Sequence, residues 1–231
     1  MSNFKHYQSV HQASLSSLQK EHYHIDSLIH KPNDTRMGIT LLLRPSTDVK
    51  QKIADFLIKI RKVAPQQYYY PESDLHITVL SIISCYAGFE VQQINTADYI
   101  SGVKHCLKYF TPFKIHFKGV ALTNTGIILQ GFPADEQLNT LRDKLRKYFK
   151  NSDLQQSIDS RYALETAHST VMRYTSPVEN KDFFINTVEN FRAFDFGYSE
   201  VTEMELVYND WYQRKANTKI LSLYSLKPQP F

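Results

Sequence analysis

Glycine and cysteine are scarce in this chain of 231 residues, and neither forms a functional pattern. Only 7 glycines are present, and they make no glycine-rich loop of the kind that wraps phosphates with backbone amides. The two cysteines, Cys85 and Cys106, are too few for a metal cluster or a disulfide framework, so we expect free thiols.

Long apolar runs are also missing. No segment reaches the roughly 18 apolar residues of a membrane-spanning helix, and the polar start Met1-Ser-Asn-Phe-Lys5 lacks the apolar core of a signal peptide. We therefore expect a cytoplasmic protein without membrane contacts. The net charge of +4 suits an anionic ligand, but it is far below that of a protein that coats nucleic acid.

A pattern of histidine, any residue, threonine and valine occurs twice in this sequence. The two copies read Asp-Leu-His76-Ile-Thr78-Val and Thr-Ala-His168-Ser-Thr170-Val, each within a short apolar run. Residues two apart in a strand point to the same face, so each copy places an imidazole beside a hydroxyl. Because histidine titrates near neutral pH, two such pairs can supply a base and an acid to one phosphate.

The order of the predicted elements repeats around these motifs. In both halves a strand (37–43; 126–130) is followed by an amphipathic helix and then by the motif strand. A helix (97–110; 181–191) and a strand (113–122; 201–208) come next, and each half closes on a further strand (126–130; 219–226). This repetition indicates an internal duplication in which the lobes exchange their last strands.

Over residues 36–226 the chain resembles the 2H phosphoesterase superfamily, the LigT-like and cyclic phosphodiesterase-like proteins with two His-x-Thr motifs. The second motif continues as Val-Met-Arg173, which matches an extension often found in that family. The resemblance implies an α+β fold: two lobes of antiparallel sheet with outer helices, related by a pseudo-twofold axis around a central cleft. A doubly wound parallel sheet is the alternative, but the turn Thr123-Asn-Thr-Gly126 indicates a hairpin.

The same comparison predicts the domain organisation. The lobes are expected to be interleaved, with halves at roughly 36–125 and 126–226. Residues 1–35 have no counterpart in the duplication, and a weak apolar stripe there predicts a helical extension packed on one lobe.

The resemblance implies a metal-independent phosphodiesterase that needs no cofactor and no protein partner. The expected substrate is a nucleotide or RNA end with a 2′,3′-cyclic phosphate or a 2′,5′ linkage. His76 and His168 would act as acid and base, while Thr78 and Thr170 donate hydrogen bonds to the non-bridging oxygens. The alternatives are RNA 2′,5′ ligation, non-catalytic binding of a nucleotide or RNA end, and a different protein in which the motifs occur by chance.

Four further residues are weaker candidates for substrate binding. Arg173 can clamp a phosphate, although strict alternation points it away from the site unless a bulge turns it back. Tyr70, Tyr208 and Trp211 can stack on a base, but such residues more often pack in a core. We interpret the basic cluster at 142–147 as the solvated face of a helix.

Overall fold

The computed structural model describes residues 3–228. The helices of this part are α1 (Asn3–Gln19), α2 (Thr47–Val63), α3 (Thr96–Leu107), α4 (Gln137–Lys150) and α5 (Lys181–Glu189). The strands are β1 (Arg36–Leu43), β2 (Tyr68–Tyr69), β3 (Ile77–Ala87), β4 (Phe113–Thr123), β5 (Gly126–Pro133), β6 (Ser169–Arg173), β7 (Asp195–Val201), β8 (Glu203–Asp210) and β9 (Lys219–Ser225).

The strands form two antiparallel sheets. Sheet A has the order β3-β1-β8-β9, and sheet B has the order β2-β6-β5-β4-β7. Every pairing between neighbouring strands is antiparallel. The predicted α+β fold is therefore confirmed, and the alternative of a doubly wound parallel sheet is wrong.

Each sheet contains strands from both halves of the sequence. Strand β4 follows the first motif yet pairs with β5 in sheet B, whereas β8 and β9 follow the second motif and extend sheet A from β1. The hairpin between β4 and β5 ends at Gly126, where a Cβ would lie 1.9 Å from the carbonyl oxygen of Met172. Only glycine allows β6 to come this close to the turn.

Helical periodicity explains which faces are buried. Helix α2 begins at the N-cap Ser46, whose hydroxyl accepts a hydrogen bond from the Val49 amide. Its buried residues recur at three- and four-residue spacing (Val49, Ile53, Phe56, Leu57, Ile60). Helix α4 repeats the pattern and packs against α3, so each helix joins the apolar core through one stripe.

Two strands of the described residues, β2 and β7, were missed by the sequence patterns. Strand β2 has only two residues, and β7 precedes β8 in a region where a single strand over 201–208 is predicted. Strand β7 is an edge strand that pairs with β4 alone, and its buried side chains alternate with exposed ones. An edge strand with one buried face needs few apolar residues, so its hydrophobic signal is weak.

Helix α1 lies on the face of sheet B that carries the second motif. Its buried side chains, Tyr7, His11, Ser14 and Leu18, form one stripe, and Tyr7 packs against Ile128. Ile128 is the cross-strand partner of Thr170, and such partners point to the same face. None of the helices in residues 3–228 is long and apolar enough to cross a membrane.

Candidate active site

The two motifs meet in one cleft between the sheets. His76 directly precedes β3 in sheet A, and His168 directly precedes β6 in sheet B. His76, Thr78, His168 and Thr170 all line this cleft, and all four are half-buried. The fold thus brings together four side chains that are far apart in the sequence.

A β-bulge follows the threonine of the first motif. In the pairing of β1 with β3, Leu42 lies opposite Thr78 and Leu41 lies opposite Leu80, so Val79 is an extra residue. Such a bulge interrupts the hydrogen bonds between the strands and bends the strand that contains it.

The second motif has a bulge at the same position, and this bulge turns Arg173 toward the cleft. Two consecutive residues of β5 pair with Thr170 and Met172, which leaves Val171 as the extra residue. The extra residue shifts the alternation of side chains by one. Arg173 therefore lines the cleft together with the motif residues, instead of pointing to the opposite face.

His76 is held in one tautomer by the backbone. Its Nδ1 lies 2.7 Å from the carbonyl oxygen of Asp74, which can only accept a hydrogen bond. The ring proton therefore sits on Nδ1, and Nε2 of the neutral ring keeps its lone pair. Burial lowers the pKa of His76 to about 4, and the charges of Arg44 and Arg173 contribute in the same direction. At neutral pH this imidazole is a base with a free Nε2.

His168 has a different partner at the same ring atom. Its Nδ1 lies 2.7 Å from the Thr166 hydroxyl, which can donate or accept, so both tautomers are allowed. The pKa of His168 is lowered to about 4, mainly by burial, and the charges of Arg142, His76 and His6 contribute in the same direction. The influence of His76 indicates that the two imidazoles lie close enough to interact electrostatically.

Arg173 is anchored by Tyr70. The Nε of Arg173 donates to the Tyr70 hydroxyl at 2.9 Å, and its Nη1 lies 3.9 Å from a carboxylate oxygen of Asp26. The Tyr70 ring is buried, which corrects its interpretation as a base-stacking residue. Tyr70 instead orients Arg173, and its backbone amide donates to the carbonyl of the bulged Val171 at 3.1 Å.

The remaining aromatic candidates lie in different places. Trp211 lines the cleft, and the guanidinium carbons of Arg161 and Arg36 lie 4.3 and 4.8 Å from its ring centre. Tyr208 packs against Phe89 and donates its hydroxyl to the Phe89 carbonyl at 3.1 Å. Tyr208 thus lies outside the cleft, which corrects the interpretation that it stacks on a base.

Arg142 is a residue that the sequence patterns misassigned. The interpretation of the cluster at 142–147 as a solvated face is wrong for Arg142, because this residue is only 1% exposed. Helical spacing predicts this burial, because Arg142 lies four residues after Leu138 and three before Leu145, both on the buried stripe of α4.

Two further contributors to the site, Thr166 and Tyr7, were also missed. Thr166 stands two residues before His168, as Asp74 stands two residues before His76, so the repeat itself points to both as ring anchors. Helix α1 brings Tyr7 toward the same motif. Its hydroxyl donates to a carbonyl of β5 at 3.2 Å, and burial raises the pKa of Tyr7 to about 12.

Comparison with known proteins agrees with the motifs and the topology. Residues 40–219 match the family model of the AKAP7 2′5′ RNA ligase-like domain. The chain belongs to this family. It is thereby a member of the 2H phosphoesterase superfamily.

Solved structures show the same fold at low sequence identity. TT0787 of Thermus thermophilus has a TM-score of 0.61 and 16% identity, covering 84% of this chain and 100% of its own. LigT of E. coli in complex with 3′-AMP has a TM-score of 0.54 and 12% identity, covering 84% and 99%. ATU0111 of Agrobacterium tumefaciens, a conserved protein of unknown function, has a TM-score of 0.55 and 16% identity, covering 90% and 97%. Comparison with curated proteins gives no match.

Proposed function

We propose that this protein is a metal-independent phosphodiesterase that hydrolyses a 2′,3′-cyclic phosphate or a 2′,5′-phosphodiester of a nucleotide or RNA. One observation carries the proposal: His76 with Thr78 and His168 with Thr170 line one cleft from opposite sheets. Each imidazole is held through Nδ1, which leaves both Nε2 atoms for substrate.

His76 is the general base of this mechanism. With its Nδ1 proton donated to Asp74, Nε2 takes a proton from water while the water oxygen bonds to phosphorus. A low pKa keeps this ring neutral before the reaction. The free ring therefore starts each cycle in the state that a base requires.

His168 is the general acid. As the bond between phosphorus and the ribose oxygen breaks, Nε2 of His168 gives that oxygen a proton. The Thr166 hydroxyl accepts from Nδ1 of the charged ring and again after Nε2 has given its proton away, when the neutral ring keeps its proton on Nδ1. The negative charge of a bound phosphate raises the pKa of His168 from about 4 toward the working pH.

The polar side chains around the histidines stabilise the charge of the phosphate. Thr78 and Thr170 donate to the non-bridging oxygens, where negative charge increases in the transition state. Arg173, turned into the cleft by the bulge, contributes a positive charge and further donors. Trp211 offers a ring surface on which a base stacks. The stacked base takes the place of the Arg161 guanidinium over that ring.

The comparisons support the substrate class. LigT of E. coli has been solved with 3′-AMP and with ATP, so a nucleotide fits that protein. The description of the family as 2′5′ RNA ligase-like favours a 2′,5′ linkage, and ligation is the second candidate. In ligation, His76 would take a proton from a ribose hydroxyl in place of water as its oxygen bonds to phosphorus, and His168 would give a proton to the ribose oxygen that leaves the cyclic phosphate.

A substrate panel tests the proposal. The purified protein is incubated with nucleoside 2′,3′-cyclic phosphates, RNA ends with a cyclic phosphate, 2′,5′-oligoadenylate, cyclic dinucleotides and ADP-ribose cyclic phosphate, and products are separated by chromatography. We expect hydrolysis of at least one, and a loss on the order of 100-fold or more in His76→Ala and in His168→Ala. The double variant should be scarcely worse than either single one, because the two residues act together.

The exposed His22 supplies the matched control. His22→Ala should keep the wild-type rate. Binding of these compounds without turnover would contradict the proposal and support a binding protein, and so would an unchanged rate in one of the two histidine variants. Products joined by a 2′,5′ linkage from cleaved RNA ends would instead establish the ligase.

A further inference from the structure

Arg142 is a buried cation that touches both motifs. Its Nη2 donates to the carbonyl of Thr78 at 2.9 Å and to that of Thr166 at 2.9 Å. Its Nε donates to the carbonyl of Val79 at 3.0 Å. The residue is 1% exposed, and no carboxylate between residues 3 and 228 forms an ion pair with it.

The contacts with the first motif lie at its bulge. Thr78 and Val79 are the residues around which the pairing of β1 with β3 shifts. Because a bulge interrupts the hydrogen bonds of the ladder, buried carbonyls there need another donor. Arg142 supplies that donor and so holds the bend that follows Thr78.

The contact with the second motif acts through Thr166. One guanidinium nitrogen of Arg142 holds the carbonyl of Thr166, and the hydroxyl of the same residue holds Nδ1 of His168. The position of the imidazole therefore depends on Arg142 indirectly, through Thr166. A single planar group links β3 of sheet A to the segment before β6 of sheet B.

We propose that Arg142 is a positioning residue that holds the two His–Thr pairs in register across the cleft and orients His168 through Thr166. Its kinetic consequence rests on the function proposed above. Its effect on the imidazole of His168 is independent of any turnover.

The charge of Arg142 gives this role a second consequence. Burial contributes most to the lowered pKa of His168, and the charge of Arg142 contributes next. The other charged or titratable groups that act on this imidazole are His76 before β3, His6 on α1 and Arg173 in β6. Since no carboxylate within residues 3–228 forms an ion pair with Arg142, a phosphate bound between the histidines is the anion that offsets its charge.

Nuclear magnetic resonance titration of the full chain without substrate tests the proposal. Neutral Arg142→Gln should raise the pKa of His168 by roughly half a unit or more. Arg142→Lys keeps the charge and should leave that pKa near the wild-type value. Lysine cannot reproduce the planar fork that spans three carbonyls, so kcat of Arg142→Lys should fall on the order of 10-fold with a smaller change in KM.

Lys147 provides the control on the same helix. It is exposed, so Lys147→Gln removes one positive charge from α4 without touching either motif, and it should change neither the pKa nor kcat. A folded Arg142→Gln with the wild-type His168 pKa and kcat would overturn the proposal. If Arg142→Gln does not fold, Arg142→Lys decides, since full wild-type kcat there excludes positioning.

Failure of the proposed function is recognised separately. In that case the wild type turns over none of the substrates, and the tautomer ratio of His168, read from its ¹⁵N shifts, replaces kcat as the readout. We expect Arg142→Lys to change this ratio because the anchor at Thr166 shifts. An unchanged ratio together with an unchanged pKa in Arg142→Gln would overturn the positioning role.

Discussion

His168 is anchored to Thr166 by a hydrogen bond of 2.7 Å between the ring Nδ1 and the side-chain hydroxyl. His76 is anchored instead to the carbonyl of Asp74. A carbonyl holds one tautomer and a hydroxyl permits two, so the duplicated motifs have unequal histidines. We interpret this difference as the origin of separate base and acid roles.

Removal of the Thr166 hydroxyl tests this division. Thr166→Val keeps the shape of the side chain but deletes the partner of His168, and we expect kcat to fall about 5-fold, which corresponds to one hydrogen bond of about 1 kcal/mol. Steady-state kinetics on the best substrate measures the effect. Thr166→Ser retains the hydroxyl and should restore most of the rate; equal rates in all three proteins would contradict the assignment.

Activity should survive chelation. The proposed mechanism moves protons between water, the two imidazoles and the leaving oxygen, and no cluster of three His, Cys, Asp or Glu side chains suited to a metal lies among residues 3–228. Turnover is measured after dialysis against excess EDTA. Loss of turnover that a divalent ion restores would refute the metal-independent mechanism.

Stability should fall with acid through the histidines. The pKa values of His11, His76 and His168 are all lowered in the folded protein, so the unfolded chain binds protons that the folded chain does not. The free energy of unfolding should therefore decrease as the pH falls from 6.5 to about 4, by on the order of 1–3 kcal/mol for each of His76 and His168.

Urea unfolding at several pH values measures this slope. The variant with both His76→Asn and His168→Asn should lose less stability in the same window, because two of the groups no longer titrate. His22→Asn, at an exposed position, is the control. Parallel pH curves for the wild type and the double variant would contradict the prediction.

Tyr70 should act on the substrate through Arg173. Tyr70→Phe deletes the acceptor of the Arg173 Nε, and we expect KM to rise several-fold with a small change in kcat. Arg173→Lys keeps a charge but loses the fork of donors, so its KM should rise more, on the order of 10-fold. Tyr69→Phe is the matched control, since the Tyr69 hydroxyl donates to Ala64 instead. A larger effect at Tyr69 would contradict this role.

The local patterns were sufficient for most of the elements and for the pairing of each motif histidine with its threonine. The stripe Ile53, Phe56, Leu57 and Ile60 predicts α2, and the structure buries those side chains. Alternation within each motif predicts that His76 and Thr78 share a face, and both line the cleft. Helical and strand periods are set by the backbone within a few residues, so one segment contains the whole signal.

Patterns failed where a neighbouring strand or helix decided the outcome. The direction of Arg173 depends on the bulge at Val171, which exists only in the pairing of β6 with β5. Tyr70 and Tyr208 are aromatic residues that can stack on a base, but the Tyr70 ring is buried and the partly buried Tyr208 ring packs against Phe89. The sequence signal for β7 is weak because β7 is an edge strand that pairs with β4 alone, and an edge strand with one buried face needs few apolar residues.

The sequence by itself determined which groups are available for chemistry, because imidazoles and hydroxyls are present in any fold and strand alternation pairs them locally. Only the tertiary structure decided how those groups differ. The partner of each Nδ1 and the lowered pKa values arise from burial and from contacts between distant segments. The burial of Arg142 beneath both motifs has the same origin, since desolvation and charge interactions depend on the packed surroundings of a residue.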